Sequence, residues 1–313
     1  MHFINIISLI IILSMDTLLA ANRMPENESV YQNFRIKYGQ GAEKITRNII
    51  SILEIAVPEY EKFYGTDLER EVVIFLPSSL LDFHPLVFDQ LPEWSNGVFV
   101  PDRNQIILKK PQWYSTDQNF TQVLRHELSH VYFHRMFANS EVPLWFNEGL
   151  AEYLSGTALD ISNGLKISNA MFAGQLILLS HVDSLQDFSW NRAQLAYLQS
   201  LSAVIFLEKR LNQLGISWQD FFESVRRNGF EQALKNSLGM DPIDFEIKWY
   251  HWLKENYKWF IIFNWENLIW VVMIIILAGA LYAMRYRNRK TLRRWEEEEE
   301  KSKEEQLTQS IEI

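Results

Sequence analysis

The residue types with the clearest chemical potential are His126, Glu127 and His130, which stand together in the pattern HELSH. The run FTQVLRHELSHVYFHRMF around them is apolar on one side, which predicts a helix from about Thr116 to Phe137. Residues four positions apart lie on the same face of a helix, so both imidazoles can bind one Zn²⁺ ion. Glu127, beside the first histidine, can then act as general base on a metal-bound water.

A second helix downstream offers a third ligand. A catalytic zinc normally has three protein ligands and one open position. Pro143 suits a helix start and Gly156 a helix stop, so Glu148 and Glu152 fall one turn apart on one face of a short helix. Glu148 can coordinate the metal, while Glu152 can accept the outer N–H of a ligating histidine, with His126 as the favoured partner.

His134 is a rival for the third ligand position, because it extends the histidine pattern along the same helix. On a straight helix, His134 lies about 12 Å along the axis from His126, beyond the reach of one shared ion. We therefore interpret His134 as a partly exposed helix residue. At the start of the same helix, Ser115 and Gln118 are placed as a capping box.

The chain around these helices is predicted to form a mixed α+β domain. The apolar pattern indicates an amphipathic helix from Ala42 to Phe63 and buried strands from Glu71 to Leu76 and from Gln105 to Leu108. From about Gly164 onward the pattern is largely helical. The helical runs lie near Ala170 to Leu179, Arg192 to Leu211 and Trp218 to Val225, with a last one through Trp252. No low-complexity linker separates these parts, so we expect one domain.

HELSH followed after a short connection by NEGLAEY resembles the gluzincin metallopeptidases, and most of all the peptidase MA-like family. The resemblance implies a zincin-like fold, with a small mixed sheet, active-site helices and a mostly helical C-terminal part. It also implies that Glu148 is the third zinc ligand and that Glu152 supports a ligand histidine.

The same resemblance assigns roles outside the two helices. The strand from Gln105 to Leu108, just before the histidine helix, resembles the family's edge strand, which pairs with substrate. The segment from Tyr197 to Ser200 resembles the family's YxxS element, so Tyr197 is the candidate for stabilising the oxyanion. Tyr153, Tyr132 and His181 are competitors for that role.

The segment from Leu268 to Met284 contains no charged residue and has about the length that a bilayer-spanning helix requires. Six basic residues follow it and should stay on the cytoplasmic side. They are Arg285, Arg287, Arg289, Lys290, Arg293 and Arg294. A buried core helix is the alternative, but it does not explain this basic cluster. We predict a transmembrane helix at residues 265–284 and a charged cytoplasmic tail at residues 285–313.

Residues 1–21 are apolar and end in small residues, which is typical of a signal peptide. The basic start of such a peptide is missing and Asp16 interrupts the run, so an uncleaved anchor or a buried helix is the alternative. A signal peptide before the domain and a transmembrane helix after it predict that residues 22–258 lie outside the cytoplasm, in the periplasm or the extracellular space. Asn22 to Tyr38 is interpreted as a short prosegment or a packed N-terminal arm.

Composition excludes several other classes of protein. The net charge of −9 argues against nucleic acid as a partner, because such domains carry a clustered basic excess. The 313-residue chain has no cysteine, which excludes disulfides, a thiolate nucleophile and a cysteine-ligated metal. Catalysis must therefore depend on other side chains or on a metal held by histidine and carboxylate.

These observations favour a membrane-anchored zinc metallopeptidase that hydrolyses peptides or proteins. Glu127 would take the proton of the attacking water and pass it to the leaving amine. The alternative is a catalytically inactive zincin-like module for binding or assembly in the cell envelope, against which Glu127 argues, since a scaffold does not need a general base. A structural membrane protein with a coincidental motif is the third hypothesis.

Overall fold

A computed structural model of the chain describes residues 27–80, 82–83, 92, 94–116, 118–258 and 265–311. The chain divides into two units, Met1–Lys258 and Trp259–Ile313. The predicted signal segment at residues 1–21 lies outside the described residues. All the predicted site residues belong to the first unit.

The first unit contains a five-stranded sheet with the order β1-β2-β3-β5-β4. Strands β2, β3 and β5 run parallel, and the outer strands β1 and β4 are antiparallel to their neighbours. The strands are β1 (Asn27–Tyr31), β2 (Phe34–Tyr38), β3 (Val72–Leu76), β4 (Gly97–Val100) and β5 (Gln105–Leu108). The described part of the predicted N-terminal arm is thus built into the sheet, with Phe34 and Ile36 buried in the core.

Helices make up most of this unit, so the predicted mixed α+β class with a small sheet is confirmed. They are α1 (Glu43–Tyr64), α2 (Phe120–Phe137), α3 (Leu144–Ser155), α4 (Ile161–Phe172), α5 (Trp190–Gln213), α6 (Trp218–Asn228), α7 (Phe230–Leu238) and α8 (Pro242–Tyr257). The helix predicted from Ala170 to Leu179 is wrong, because α4 ends at Phe172. Gly174 follows with a φ of +65°, a left-handed conformation that stops a helix, and a 3-10 segment begins only at Leu179.

The start of the histidine helix also differs from the prediction. Helix α2 begins at Phe120, and the side chain of Asn119 accepts the hydrogen bond from the Thr121 N–H at 2.8 Å. The predicted capping residue Gln118 is engaged elsewhere, since its Oε1 accepts a hydrogen bond from Asn96 Nδ2 at 2.7 Å. A tertiary contact to the strand region has replaced the local capping box.

The edge strand beside the histidine helix is β4, so the prediction that Gln105 to Leu108 forms the edge is wrong. Strand β5 pairs with β3 on one side and with β4 on the other, which places it inside the sheet. Strand β4 lies in a stretch that the sequence pattern marks as loop. It packs against α2 and forms the border of the sheet on that side.

Hydrogen bonds from two side chains hold α2 and α3 in a fixed position relative to each other. The Tyr60 hydroxyl of α1 reaches the carbonyl oxygens of Arg125 on α2 at 2.8 Å and of Leu154 on α3 at 3.0 Å. Arg125 Nε also donates to the Leu154 carbonyl at 2.9 Å. The two helices that carry the predicted ligands are therefore joined by these hydrogen bonds.

Helix α3 also packs very closely on α5 at Gly149. A Cβ atom added to this glycine would lie 2.5 Å from the backbone oxygen of Ser200 and 2.6 Å from Val204 Cγ2. A backbone oxygen cannot rotate away from such a contact, so glycine is required where the two helices cross.

The second unit contains one long helix, α9 (Trp265–Ile311). Its portion Ile269–Glu299 includes a stretch with a mean hydropathy of 1.9, long and apolar enough to cross a membrane. Most of the large apolar side chains described in this stretch are exposed. This is the composition expected of a membrane anchor.

Substitution Gly149→Ala should destabilise the first unit by about 3 kcal/mol, because the new methyl group would overlap the backbone of α5. Gly174→Ala is the matched control, since nothing lies within 4 Å of the added Cβ and only its φ of +65° is strained. The control should cost about 1 kcal/mol. Chemical denaturation of both variants tests this, and equal losses would contradict the close packing of α3 on α5.

Candidate metal centre

Helices α2 and α3 bring three potential ligand atoms together. Glu148 Oε2 lies 3.3 Å from His126 Nε2 and 3.6 Å from His130 Nε2. All three atoms lie within 4.8 Å of one another. Ligands around a tetrahedral zinc, at bond lengths of about 2.0–2.1 Å, are about 3.3 Å apart. The two separations from Glu148 are close to this value, so the group is compatible with one metal ion.

The carboxylate of Glu148 supplies an independent test of that fit. Its Oε2 atom is buried and has no hydrogen-bond partner among the described residues. Burial alone raises the pKa of Glu148, but the neighbouring imidazoles of His130 and His126 outweigh this effect and hold the pKa below its usual value. A buried anionic oxygen requires a compensating cation, and an ion between the three atoms would supply it.

The outer nitrogen of each histidine is held by a different partner. His126 Nδ1 lies 3.2 Å from Glu152 Oε1, the pairing that the helix spacing predicts. His130 Nδ1 lies 2.9 Å from Asn147 Oδ1. Both imidazoles thereby turn Nε2 towards Glu148, as ligand histidines do when a second group fixes their orientation.

Asn147 was missed by sequence reasoning. The available signal was its position directly before Glu148 in the Asn-Glu pair at the start of α3. On a helix, adjacent residues point about 100° apart, so Asn147 and Glu148 can reach opposite sides of His130.

Glu127 lies beside this group and against the edge strand. A Cβ atom on Gly97 would lie 2.9 Å from Glu127 Cγ and 3.0 Å from Glu127 Oε1, so glycine is needed for this approach. Burial raises the pKa of Glu127, opposed by His126 and His130 and by a backbone hydrogen bond from Phe99. A raised pKa brings the carboxyl closer to neutral pH, which suits a group that both accepts and donates a proton.

Tyr197 on α5 also faces the group. Its ring centroid lies 5.7 Å from that of His126 in an edge-on arrangement, and 6.2 Å from that of Trp94. Burial, followed by the charge of Glu148, raises the pKa of Tyr197 well above its usual value. The phenol therefore keeps its proton and can donate a hydrogen bond.

The competitors of Tyr197 make other contacts. The Tyr153 hydroxyl donates to Glu208 Oε1 at 2.6 Å, and Tyr132 stacks on Tyr64 at a centroid distance of 5.9 Å. His181 lies in the 3-10 segment, and none of these three competitors lines the two cavities that meet at the ligand group.

His134 lies outside the group of three ligand atoms. Its side chain is exposed, and its ring packs 5.8 Å from that of Phe99 at the border of the sheet. His134 lies one turn beyond His130 on α2 and is thus separated from Glu148.

In the metal-free protein, the protonation of His126 is altered by its surroundings. Burial lowers its pKa and is the largest single effect, but the nearby carboxylates of Glu148 and Glu152 together raise the pKa well above the usual value. A raised folded-state pKa stabilises the fold fully below the unfolded value of about 6.5, and this stability is lost as pH rises through the folded value.

Glu152→Gln should therefore lower the pKa of His126 in the chelator-treated protein and move this loss of stability to lower pH. Histidine NMR titration and thermal unfolding against pH measure both effects. Glu141→Gln is the matched control, an exposed carboxylate in the loop between α2 and α3. An unchanged His126 titration in Glu152→Gln would contradict the pairing.

No curated protein matches the chain. A profile of the peptidase MA superfamily matches residues 56–255, which is more than half of the chain and contains the whole ligand group and Tyr197. The chain therefore belongs to the peptidase MA superfamily.

Proposed function

We propose that this protein is a membrane-anchored zinc metallopeptidase that hydrolyses peptide bonds outside the cytoplasm. The observation that carries the proposal is the convergence of His126 Nε2, His130 Nε2 and Glu148 Oε2, with Glu127 beside them. Membership of the peptidase MA superfamily supports peptidase activity, and its members are typically zinc-dependent.

In this proposal, His126, His130 and Glu148 hold Zn²⁺. When bound, the ion lowers the pKa of a water molecule and polarises the carbonyl of the scissile bond. Two neutral imidazoles and one carboxylate are the donor set of many catalytic zinc sites. Glu152 and Asn147 hold the imidazoles in place through their Nδ1 atoms.

Glu127 acts as the general base and then as the general acid. Its carboxylate accepts a proton from the attacking water and afterwards gives that proton to the leaving amine. Its burial and its raised pKa support both steps, because the protonated and ionised forms are then closer in free energy at neutral pH.

Tyr197 is the candidate for stabilising the oxyanion that develops on the scissile carbonyl. Its phenol faces His126 and keeps its proton, so it can donate a hydrogen bond where negative charge appears. The hydroxyl of its competitor Tyr153 donates to Glu208, and the ring of Tyr132 is stacked on Tyr64.

Helix α9 would anchor the enzyme in the cell membrane as a single span. The basic residues that follow residue 284 favour a cytoplasmic C-terminal tail, because such clusters are retained on that side. The peptidase unit would then act in the periplasm or the extracellular space, on peptides or proteins near the membrane surface.

Purified protein should contain about one zinc ion per chain and cleave unstructured peptides. Glu127→Gln should keep the metal and lower kcat about 10²- to 10⁴-fold, since it removes proton transfer but no ligand. Zinc content with no cleavage by the parent protein would favour an inactive binding module instead. A variant that cleaves as fast as the parent would refute the role of Glu127.

The ligand set can be tested with a pair of histidines on one helix. His130→Ala should lose bound zinc and activity together, because two remaining ligands hold the ion weakly. His134→Ala is the matched control, one turn further along α2 and exposed, and should retain both. Metal analysis after dialysis separates the two, and zinc loss from the control would contradict the assigned ligands.

The orientation of the chain in the membrane can be measured separately. A protease added outside intact cells should digest residues 27–258 and leave an epitope placed after residue 285 intact, because the basic cluster keeps the tail inside. Digestion of the tail with protection of the peptidase unit would reverse the proposed orientation.

A further inference from the structure

The outer edge of β4 carries backbone groups that no described strand uses. The Asn96 carbonyl accepts the Lys109 N–H at 2.9 Å, so in this antiparallel pair the alternate residues Val98 and Val100 bond to β5. Gly97 and Phe99 therefore direct their backbone groups away from β5. The Gly97 carbonyl accepts a hydrogen bond from Ser95 Oγ at 2.7 Å, and the Phe99 N–H donates to Glu127, so the Gly97 N–H and the Phe99 carbonyl are the edge groups that a peptide would pair with. An extended peptide can add to such an edge.

Gly97 and Phe99 also lie on the side of the sheet that faces α2. Gly97 approaches Glu127, and the Phe99 ring packs against His134. Val98 and Val100 point to the other face, where they pack against a buried cluster that includes Phe75. A peptide paired with this edge would thus run past the ligand group.

Two cavities of about 560 Å³ and 520 Å³ meet at that group. Both are lined by His126, Glu127, Gly97 and Tyr197. Both also share Trp94 and Ser95, which precede β4; beyond these, one cavity includes Asn96, and the other continues along β4 past Phe99 to Pro101. A scissile bond at the metal centre would place its N-terminal side chain in one cavity and its C-terminal side chain in the other.

The cavity at the Asn96 end is polar. It is lined by the amide side chains Asn96, Gln118, Gln122, Asn163 and Gln194. Asn96 is only 3% exposed, and its buried Oδ1 has no hydrogen-bond partner among the described residues. A buried, unpaired amide oxygen favours a ligand group that can donate a hydrogen bond.

Acidic side chains also line this polar cavity. Its lining includes the carboxyl groups of Glu127, Glu152 and Asp160 and the side chain of Lys166. A neutral hydrogen-bonding side chain fits this surrounding better than an acidic one, which would meet like charges.

The cavity at the other end of β4 is apolar. Its walls are formed by Phe99, Phe133, Phe137, Leu144 and Leu185. The rings of Phe133 and Phe137 lie 4.8 Å apart and back this wall from within α2. Such a surface favours a large aliphatic or aromatic side chain, whose burial removes apolar area from water.

We propose that the cleft selects peptides with a large apolar residue directly before the scissile bond and a neutral amide residue, glutamine or asparagine, directly after it. The inference rests on the proposed peptidase function. The order of these two residues along the peptide follows from antiparallel pairing with β4, because antiparallel strands pair more stably per residue than parallel ones. Strand β4 runs from Gly97 to Val100, so an antiparallel peptide has its N-terminal side in the apolar cavity.

Two quenched fluorescent peptides that differ only in the order of two central residues test this directly. The zinc-loaded full chain in nanodiscs should cleave the Leu–Gln peptide with a kcat/KM at least about tenfold higher than the Gln–Leu peptide. Equal values would overturn the two-sided specificity. Preference for Gln–Leu would overturn the antiparallel direction.

Two variants outside the catalytic group locate the specificity. Gln194→Leu should remove the preference for glutamine over leucine after the scissile bond and leave the preference before it unchanged. Leu144→Gln should remove the preference for a large apolar residue before the scissile bond and leave the preference after it unchanged. Both side chains line their cavities without contacting the ligand atoms, so cleavage itself should persist. Parallel loss of both preferences in either variant would contradict the assignment.

A binding measurement separates this inference from the proposed function. Zinc-loaded Glu127→Gln protein should bind the labelled Leu–Gln peptide at least about tenfold more tightly than the Gln–Leu peptide in fluorescence anisotropy. If the parent cleaves no peptide, the proposed function fails while this binding preference still decides the specificity. Cleavage without any preference in rate or binding refutes the specificity alone.

Discussion

The buried carboxylate of Glu148 is the constraint on which the rest of the site depends. An ionised carboxylate away from water is costly unless a cation compensates it, and Glu148 Oε2 has two imidazole nitrogens at 3.3 Å and 3.6 Å but no hydrogen-bond partner among the described residues. The arrangement is stable only if α2 and α3 hold all three groups in register. The Tyr60 hydroxyl and the Arg125 side chain, which join the backbones of these helices, keep that register.

Two glycines set how closely other elements approach this carboxylate. Gly149, next to Glu148, allows α5 to pack against α3, and α5 carries Tyr197. Gly97 allows the edge strand to reach Glu127. Glu127, proposed to accept a proton, and Tyr197, proposed to stabilise the oxyanion, therefore lie on different helices. The position of each depends on a glycine, whose lack of a side chain allows the close approach. Packing and chemistry are coupled at these positions.

Much of the ligand group could be predicted because its spacing is local. Helical periodicity alone places His126 and His130 on one face, and the same rule places Glu148 and Glu152 one turn apart. Strand β4 could not be predicted, since four residues in a loop-like stretch carry little pattern and their edge position depends on distant pairing with β5. The start of α2 was missed for a related reason, because a tertiary partner occupies the expected capping side chain.

The most direct test of the account is the position of the metal. Crystals of the zinc-loaded protein, measured on both sides of the zinc absorption edge, should show one anomalous peak about 2.0–2.2 Å from His126 Nε2, His130 Nε2 and a carboxylate oxygen of Glu148. A zinc peak at His134, or a peak bound to the two histidines with Glu148 turned away from it, would contradict the assigned centre.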